Sequence, residues 1–242
     1  LAVGWRINYA QNFSTLFEDL IETSPTVLFA VPRVFEQMYL KIQKNILEES
    51  LPNRLLLFSF FNSLEKYSAA FESGDKLGIL SKLSLGAMDR LLFKEIRSKF
   101  GGNIRVCICG GAPLSVDVAR FFHVAGLRIL EGYGLTESSG PVAVNRPHEF
   151  KFGSVGRVFP SVSLKISLEG EILLSGPSIM RGYHNEEIGT DKVFEDNYYR
   201  TGDIGHVDAD GFLYVTDRKK DIIISSGGKN ISPQKIEARL KV

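Results

Sequence analysis

Several short strings in this 242-residue chain combine side chains that can hold a nucleotide. Gly132-Tyr133-Gly134-Leu135-Thr136-Glu137 sets glycines, which let a ligand approach the backbone, around an aromatic ring that offers a face to a base. Thr136 adds a hydroxyl and Glu137 a carboxylate, the oxygen ligands that a phosphate-bound Mg²⁺ takes. In Tyr199-Arg200-Thr201-Gly202-Asp203 the last carboxylate can accept hydrogen bonds from both hydroxyls of a ribose. Asp217-Arg218-Lys219-Lys220-Asp221 and Ser226-Gly227-Gly228-Lys229-Asn230-Ile231-Ser232-Pro233 follow, and Gly110-Gly111-Ala112-Pro113-Leu114 lies upstream. Taken singly, each has a plainer reading: a glycine turn, a turn or capping aspartate, an exposed arginine, a solvated charge run.

The elements that must position these strings begin with a helix. Thr15 and Glu18 make a capping box, and Leu16, Phe17, Leu20 and Ile21 form an apolar face that Pro25 ends. Residues 26–30 read as a buried strand, and Pro32 opens a helix carrying Phe35, Met38, Tyr39, Ile42 and Ile46 on one side. Two further helical segments follow, one with Leu57, Phe61, Leu64 and Phe71, the other with Leu80, Leu83, Leu91 and Leu92; both are expected to pack on a sheet rather than face a membrane or a partner. Residues 104–109 predict a strand, Ser115 a cap for a helix running to Gly126, and residues 127–130 the next strand. This β-α-β unit puts Gly110-Gly111 and Gly132-Tyr133-Gly134 at the carboxyl ends of parallel strands, where ligands collect. Beyond about Asn145 the pattern changes to short alternating strands, with turns at Glu169-Gly170 and at residues 208–211.

Composition narrows the classes. With 44% hydrophobic and 24% charged residues the chain can bury a core, and a formal net charge of +1 gives no overall footprint for nucleic acid or an anionic membrane. No apolar run reaches transmembrane length, and the first residues lack a basic region and a cleavage site. Cys107 and Cys109 have no metal-type spacing and fit a reducing cytosol. His123, His148, His184 and His206 show no metal spacing either, and Ser115 lacks a nucleophile-elbow sequence, so none is assigned chemistry. The abrupt start, and a final helix with no closing signal, read as a piece of a longer protein.

In order and together, the strings at residues 132–137, 199–203, 217–221 and 226–233 resemble the adenylate-forming acyl-activating superfamily, which includes acyl-CoA synthetases, firefly-type luciferases and peptide-synthetase adenylation domains. Residues 13–20, Pro25-Thr26 and Val31-Pro32-Arg33-Val34-Phe35 make the chain most similar to bacterial-type long-chain fatty acyl-CoA synthetases. The resemblance implies ATP-dependent conversion of a fatty acid to an acyl-adenylate and transfer to coenzyme A, with ATP, Mg²⁺ and coenzyme A as co-substrates and no nucleic-acid partner. It implies that Thr136 contacts phosphate, Glu137 holds Mg²⁺, Asp203 binds ribose and Arg218 reaches ribose and phosphate. It extends the nucleotide set to Gly110, Gly111, Ala112, Glu131, Gly132, Tyr133 and Gly134. Lys220 corresponds to the hinge of a mobile C-terminal domain, and Gly227-Gly228 to the turn lining the thiol's tunnel. Arg181-Gly182-Tyr183 also fits a family motif and is assigned to the geometry of the β-rich part. A cytoplasmic protein is implied, with room for peripheral attachment at a membrane's inner face.

The expected fold class is therefore α/β: a parallel-sheet α/β subdomain over residues 1–144, a small β-rich, barrel-like subdomain over 145–216, and the start of a mobile α+β C-terminal domain over 217–242. A Ser/Thr/Gly-rich loop ending in Pro-Lys-Gly and a late C-terminal lysine, both expected of the family, do not occur in the chain. Transfer to a carrier-protein thiol, or a non-catalytic nucleotide-binding relative, are the alternatives; four intact residues, Thr136, Glu137, Asp203 and Arg218, argue against the second.

Overall fold

A computed structural model describes residues 4–46, 48, 50–221, 223–224, 230–231, 233 and 236. Strands β1 (Val27–Ala30), β2 (Val106–Cys109), β3 (Ile129–Leu135), β4 (Gly140–Val144) and β5 (Arg157–Val158) form one sheet in that order. The β3–β4 and β4–β5 pairs are antiparallel, so the sheet's parallel pairing lies among β1, β2 and β3. A second sheet is antiparallel throughout: β6 (Ser163–Ile166), β7 (Glu171–Ser175), β9 (Tyr198–Val207) and β10 (Leu213–Arg218) run in the order β10-β9-β7-β6, and β8 (Phe194–Glu195) pairs with β9. Ile223–Ile224 (β11) and Asn230–Ile231 (β12) make a two-stranded ribbon. The mixed α/β class read from the sequence is the class observed, and among the described residues no helix is long and apolar enough to cross a membrane.

The chain divides into two compact units. The first comprises residues 1–29, 42–108 and 120–129. Its helix α1 (Leu16–Thr23) buries Leu16 and Leu20 but leaves Ile21 exposed. The Thr15–Glu18 capping box does not form: the Thr15 hydroxyl donates to the Asp19 carboxylate at 3.2 Å, and the entry is held by Asn12, whose side-chain oxygen accepts the N–H groups of Ser14 and Thr15. Helix α2 (Pro32–Ile46), which both units share, starts at the proline as expected and buries Phe35, Met38, Tyr39 and Ile42.

The segment read as one helix through residues 57–71 is two, α3 (Leu51–Asn62) and α4 (Leu64–Ser73), broken at Ser63. Helix α5 (Ile79–Met88) passes through a π turn at Asp89–Phe93 into α6 (Lys94–Lys99). The expectation that these stripes pack inward fails most for α5: Leu80 is 83% exposed and Leu83 is exposed with it, whereas Met88 is buried; Phe71 on α4 and Leu91 on the π turn are exposed as well. Apolar residues lie nearly all round this helix, so periodicity alone could not say which side faces in. The core of the unit is aromatic, with the ring centroids of Phe60 and Phe93 5.3 Å apart, and those of Phe121 and Phe122 also 5.3 Å apart. Both Phe121 and Phe122 come from α7 (Val116–Val124), the crossover between β2 and β3. His123, on the same helix, is kept neutral, its pKa pushed down to about 4 by burial and by Arg128.

The second unit, residues 30–41, 109–119 and 130–242, contains β4 to β12 and a short helix α8 (Glu187–Lys192). Its core joins Tyr133, Val142, Ala143, Val162, Ile172, Leu174 and Leu213. The two turns read from sequence are present: Ser167 and Gly170 close the β6–β7 connection, and the Asp208 carboxylate accepts the N–H groups of Asp210 and Phe212 ahead of β10.

Candidate active site

Asp203 belongs to the second sheet. It lies inside the ten-residue β9, at a bulge: Leu173 pairs with Arg200 and Glu171 with Ile204, so β9 carries extra residues between those partners. Each residue of the string 200–203 helps build that bulge. Gly202 has φ +72°, a left-handed conformation that side-chain-bearing residues rarely adopt. Thr201 donates its hydroxyl to the Ile172 carbonyl at 2.8 Å and accepts the N–H of Asp203 at 3.1 Å. Arg200 donates to the Glu171 carboxylate at 2.9 Å. Asp203 is thereby presented opposite Arg218, its register partner on β10, with the Arg218 Nε 3.1 Å from one carboxylate oxygen. The Tyr133 hydroxyl donates to the other at 2.7 Å.

Asp203 is only 3% exposed. Burial pushes its carboxyl up, against the pull of the Tyr133 hydroxyl and the Arg218 guanidinium. Each carboxylate oxygen can accept more than one hydrogen bond, so these two donors leave capacity for the hydroxyls of a ribose.

The glycines around Tyr133 turn out to belong to a strand rather than a turn. Strand β3 continues through Leu135 and pairs with β4, with a register shift between Tyr133 and Gly134. A Cβ on Gly134 would run into the carbonyl oxygen and backbone of Gly140 and the Cα of Pro141, so the glycine is required by strand pairing. The Tyr133 ring, 8% exposed, is packed in the core with Val142 and Ala143, so the free aromatic face read from sequence is largely consumed. Its hydroxyl fixes Asp203.

Glu131 and the Gly110 loop are brought to the same strand. A Cβ on Gly110 would lie 3.2 Å from the Gly132 carbonyl, which places the loop's backbone against β3, and Gly111 has φ +85°. The buried Glu131 carboxylate accepts the N–H groups of Leu114 and Gly153, so it ties the loop of residues 110–114 to the strand. Burial pushes its carboxyl up to about 7 from 4.5, against those two N–H donors. Between those pH values the folded chain keeps a proton that the unfolded chain has lost, so stability falls as pH rises through the window and is flat above it. A shift of that size corresponds to about 3 kcal/mol. Glu131→Gln, which cannot ionise, is expected to lack this slope in a series of melting temperatures from pH 4.5 to 7.5; equal slopes in both proteins would refute the assignment.

Thr136 and Glu137 occupy a 3₁₀ turn, Thr136–Ser138, whose Ser138 hydroxyl accepts the Leu135 N–H at 2.8 Å and donates to backbone carbonyls. Thr136 is exposed and Glu137 half-buried. The Tyr183 hydroxyl donates to the Glu137 carboxylate at 3.0 Å, and the Met180 N–H donates to the Glu137 carbonyl at 2.7 Å. The string 181–183, read as a matter of β geometry, thus reaches the metal candidate. Tyr199 joins the pair; burial, then its bonding with Tyr183 and the nearby Glu137 charge, push its phenol up. No group of three or more His, Cys, Asp or Glu side chains that could hold a metal occurs among the described residues.

Lys220 is exposed in the 3₁₀ turn Lys219–Asp221 directly after β10. Gly227 and Gly228 lie outside the described residues. Glu171 was overlooked, although a lone acid opening the apolar run Glu171-Ile172-Leu173-Leu174 was a signal that a carboxylate is buried there.

The family described as "AMP-binding enzyme" matches residues 1–184. The long-chain-fatty-acid–CoA ligase FadD15 of Mycobacterium tuberculosis is 37% identical over 235 residues, which is 97% of this chain and 39% of that protein. ACSBG1 of Mus musculus, also named a long-chain-fatty-acid–CoA ligase, is 35% identical over 94% of this chain and 32% of its own length. The chain therefore spans well under half of the curated relatives it matches. Among solved structures, O-succinylbenzoate coenzyme A synthetase of Bacillus subtilis in complex with ATP and magnesium is 31% identical, with a TM-score of 0.54 over 65% of this chain and 34% of its own. The same enzyme without ligand is 25% identical with a TM-score of 0.60 over 96% of this chain and 41% of its own. On the matched family, the relatives' identity and the shared fold, this chain belongs to the AMP-binding enzyme family.

Proposed function

We propose that the protein of which this chain is part activates a long-chain fatty acid with ATP and passes it to coenzyme A. The fatty carboxylate attacks the α-phosphorus of ATP, giving acyl-AMP and pyrophosphate; the thiol of coenzyme A then displaces AMP. A carboxylate is a poor electrophile, and the adenylate gives it a good leaving group. The observation that carries this reading is the cross-strand pair Asp203–Arg218 at 3.1 Å, steadied by Tyr133, in a chain of the AMP-binding family. Asp203 accepts the ribose hydroxyls and Arg218 reaches ribose and phosphate. Thr136 contacts phosphate and Glu137, oriented by Tyr183, holds the magnesium that arrives with ATP. That ion neutralises phosphate charge when bound. Gly110, Gly111 and Ala112 flank the base, with Glu131 holding their loop on β3.

Fatty acid, ATP and coenzyme A are the substrates of this reading, and the names of FadD15 and ACSBG1 support the choice of acid. ATP–pyrophosphate exchange with the full-length protein, measured across carboxylic acids of rising chain length, tests it. Exchange that peaks with long-chain acids and yields an acyl-CoA when the thiol is added is expected. Exchange without thioester would move the acceptor to another nucleophile, and no exchange with any acid would end the reading.

In the three-part division at 144/145 and 216/217, Lys220 is the hinge on which a C-terminal domain turns between the two half-reactions, bringing Gly227-Gly228 to the thiol. Its exposed place in the short turn after β10 supports this. Proline fixes φ and blocks a large dihedral change. Lys220→Pro is expected to preserve one half-reaction and suppress the other; equal loss of both, or no loss, in separate adenylation and thioesterification assays would refute the hinge.

A further inference from the structure

The Asp203–Arg218 pair is flanked in sequence by Gly202 on one strand and Lys219 after the other, and both flanking residues are bound by one carboxylate. Glu171, at the start of β7 and 3% exposed, accepts the Gly202 N–H on Oε1 at 3.1 Å. Its Oε2 accepts Lys219 Nζ at 3.1 Å and Arg200 Nη2 at 2.9 Å. Lys219 is further held by Glu169, 2.5 Å away across the turn before β7. Both oxygens of Glu171 are thus engaged, by donors from β9 and from the residue that follows β10.

Burial alone works against the charge on Glu171. The arginine, the lysine and the Gly202 N–H outweigh it, so the carboxyl lies below the usual carboxylate range and is ionised at neutral pH. A carboxylate held this way fixes the backbone at Gly202 and the side chain at Lys219, each one residue from a member of the pair. Gly202 sits in the bulge at φ +72°, and its N–H, one residue before Asp203, is the group that Glu171 Oε1 holds. Lys219 is the first residue past the last paired residue of β10.

We infer that Glu171 is a positioning residue for nucleotide binding: by holding Gly202 and Lys219 together it sets the spacing of the Asp203 carboxylate and the Arg218 guanidinium that receive the ribose. This rests on the ribose assignment of Asp203 made above.

The test measures KM for ATP and for fatty acid separately in pyrophosphate exchange by the full-length protein. Glu171→Gln keeps an acceptor for Gly202 but loses the charge that holds Lys219 and Arg200; by the usual worth of a charge-assisted bond it should raise KM for ATP roughly tenfold or more. KM for fatty acid should stay within about twofold, since the pair does not touch the acid; a general loosening of the fold would raise both. Lys219→Met, which cuts one arm at a half-exposed side chain, should raise KM for ATP about threefold, as expected of a partly exposed pair. In an Asp203→Ala background Glu171→Gln should add less than about twofold, because the residue it positions is gone.

A folded Glu171→Gln protein with unchanged KM for ATP, or with both KM values raised together, overturns the inference. Should Glu171→Gln not fold, Lys219→Met decides, and a KM for ATP equal to wild type overturns it. The failures are distinguishable: if Asp203→Ala weakens ATP and Glu171→Gln does not, only the positioning role falls. If Asp203→Ala leaves ATP unaffected, the ribose assignment falls and the positioning role with it.

Discussion

Asp203→Ala in the full-length protein is expected to weaken ATP binding by about 2–4 kcal/mol, the worth of a pair of hydrogen bonds to a charged acceptor. The effect should appear equally with AMP, because the lost contacts are to the ribose that both share. The substitution also removes the acceptor of the Tyr133 hydroxyl, which donates to Asp203 at 2.7 Å inside the core, so a loss of about 1 kcal/mol in stability should accompany it. Tyr133→Phe separates the two effects. It removes the hydroxyl and its demand for a partner together while Arg218 still faces the carboxylate at 3.1 Å, so its ATP affinity should fall much less. Calorimetric titration of ATP and AMP into the folded variants checks this. Wild-type affinity in Asp203→Ala would remove Asp203 from the ribose.

Glu137→Gln should have the larger effect on rate. The amide keeps an oxygen for the Tyr183 hydroxyl, so the local geometry survives, but the charge that would hold magnesium is lost. Removing one preorganised group that stabilises transition-state charge costs about two to three powers of ten in rate. Adenylation at saturating ATP should fall by that factor, and the magnesium concentration needed for half-maximal rate should rise. Tyr183→Phe leaves the carboxylate charged and merely less well oriented, so a drop of about tenfold or less is expected, in keeping with the loss of one hydrogen bond. Pyrophosphate exchange during a magnesium titration reads both quantities. A Glu137→Gln protein with an unchanged magnesium requirement would show that the ion binds elsewhere.

Much of the local architecture was written in nearby residues. Pro32 opens α2, Gly170 and the Asp208 turn close their hairpins, and Ser163–Ile166 pairs with Glu171–Ser175 across the expected turn, although β7 is buried at four successive residues rather than alternating. These are short-range matters: turn chemistry and a side-chain period act within a few residues, and sequence records them directly. The ordered strings at 132–137, 199–203 and 217–221 likewise carried the resemblance to a family whose model matches residues 1–184.

Tertiary structure decided how those strings are used. Tyr133 and Asp203 are 70 residues apart, Tyr183 and Glu137 46, Glu171 and Gly202 31, and nothing in the spacing of one announces the other. The glycines of the string 132–134 looked like a turn because glycine is ambiguous between freedom and close approach; only the pairing of β3 with β4 shows that Gly134 meets a neighbouring backbone. Leu80 and Leu83 fitted an inward stripe, yet a helix apolar on most sides has no single inward face until its neighbours are placed. Glu171 is the clearest case. A carboxylate becomes an anchor only where folding removes water from it and supplies three donors from elsewhere in the chain, so its chemistry was present in the sequence but its role was created by burial.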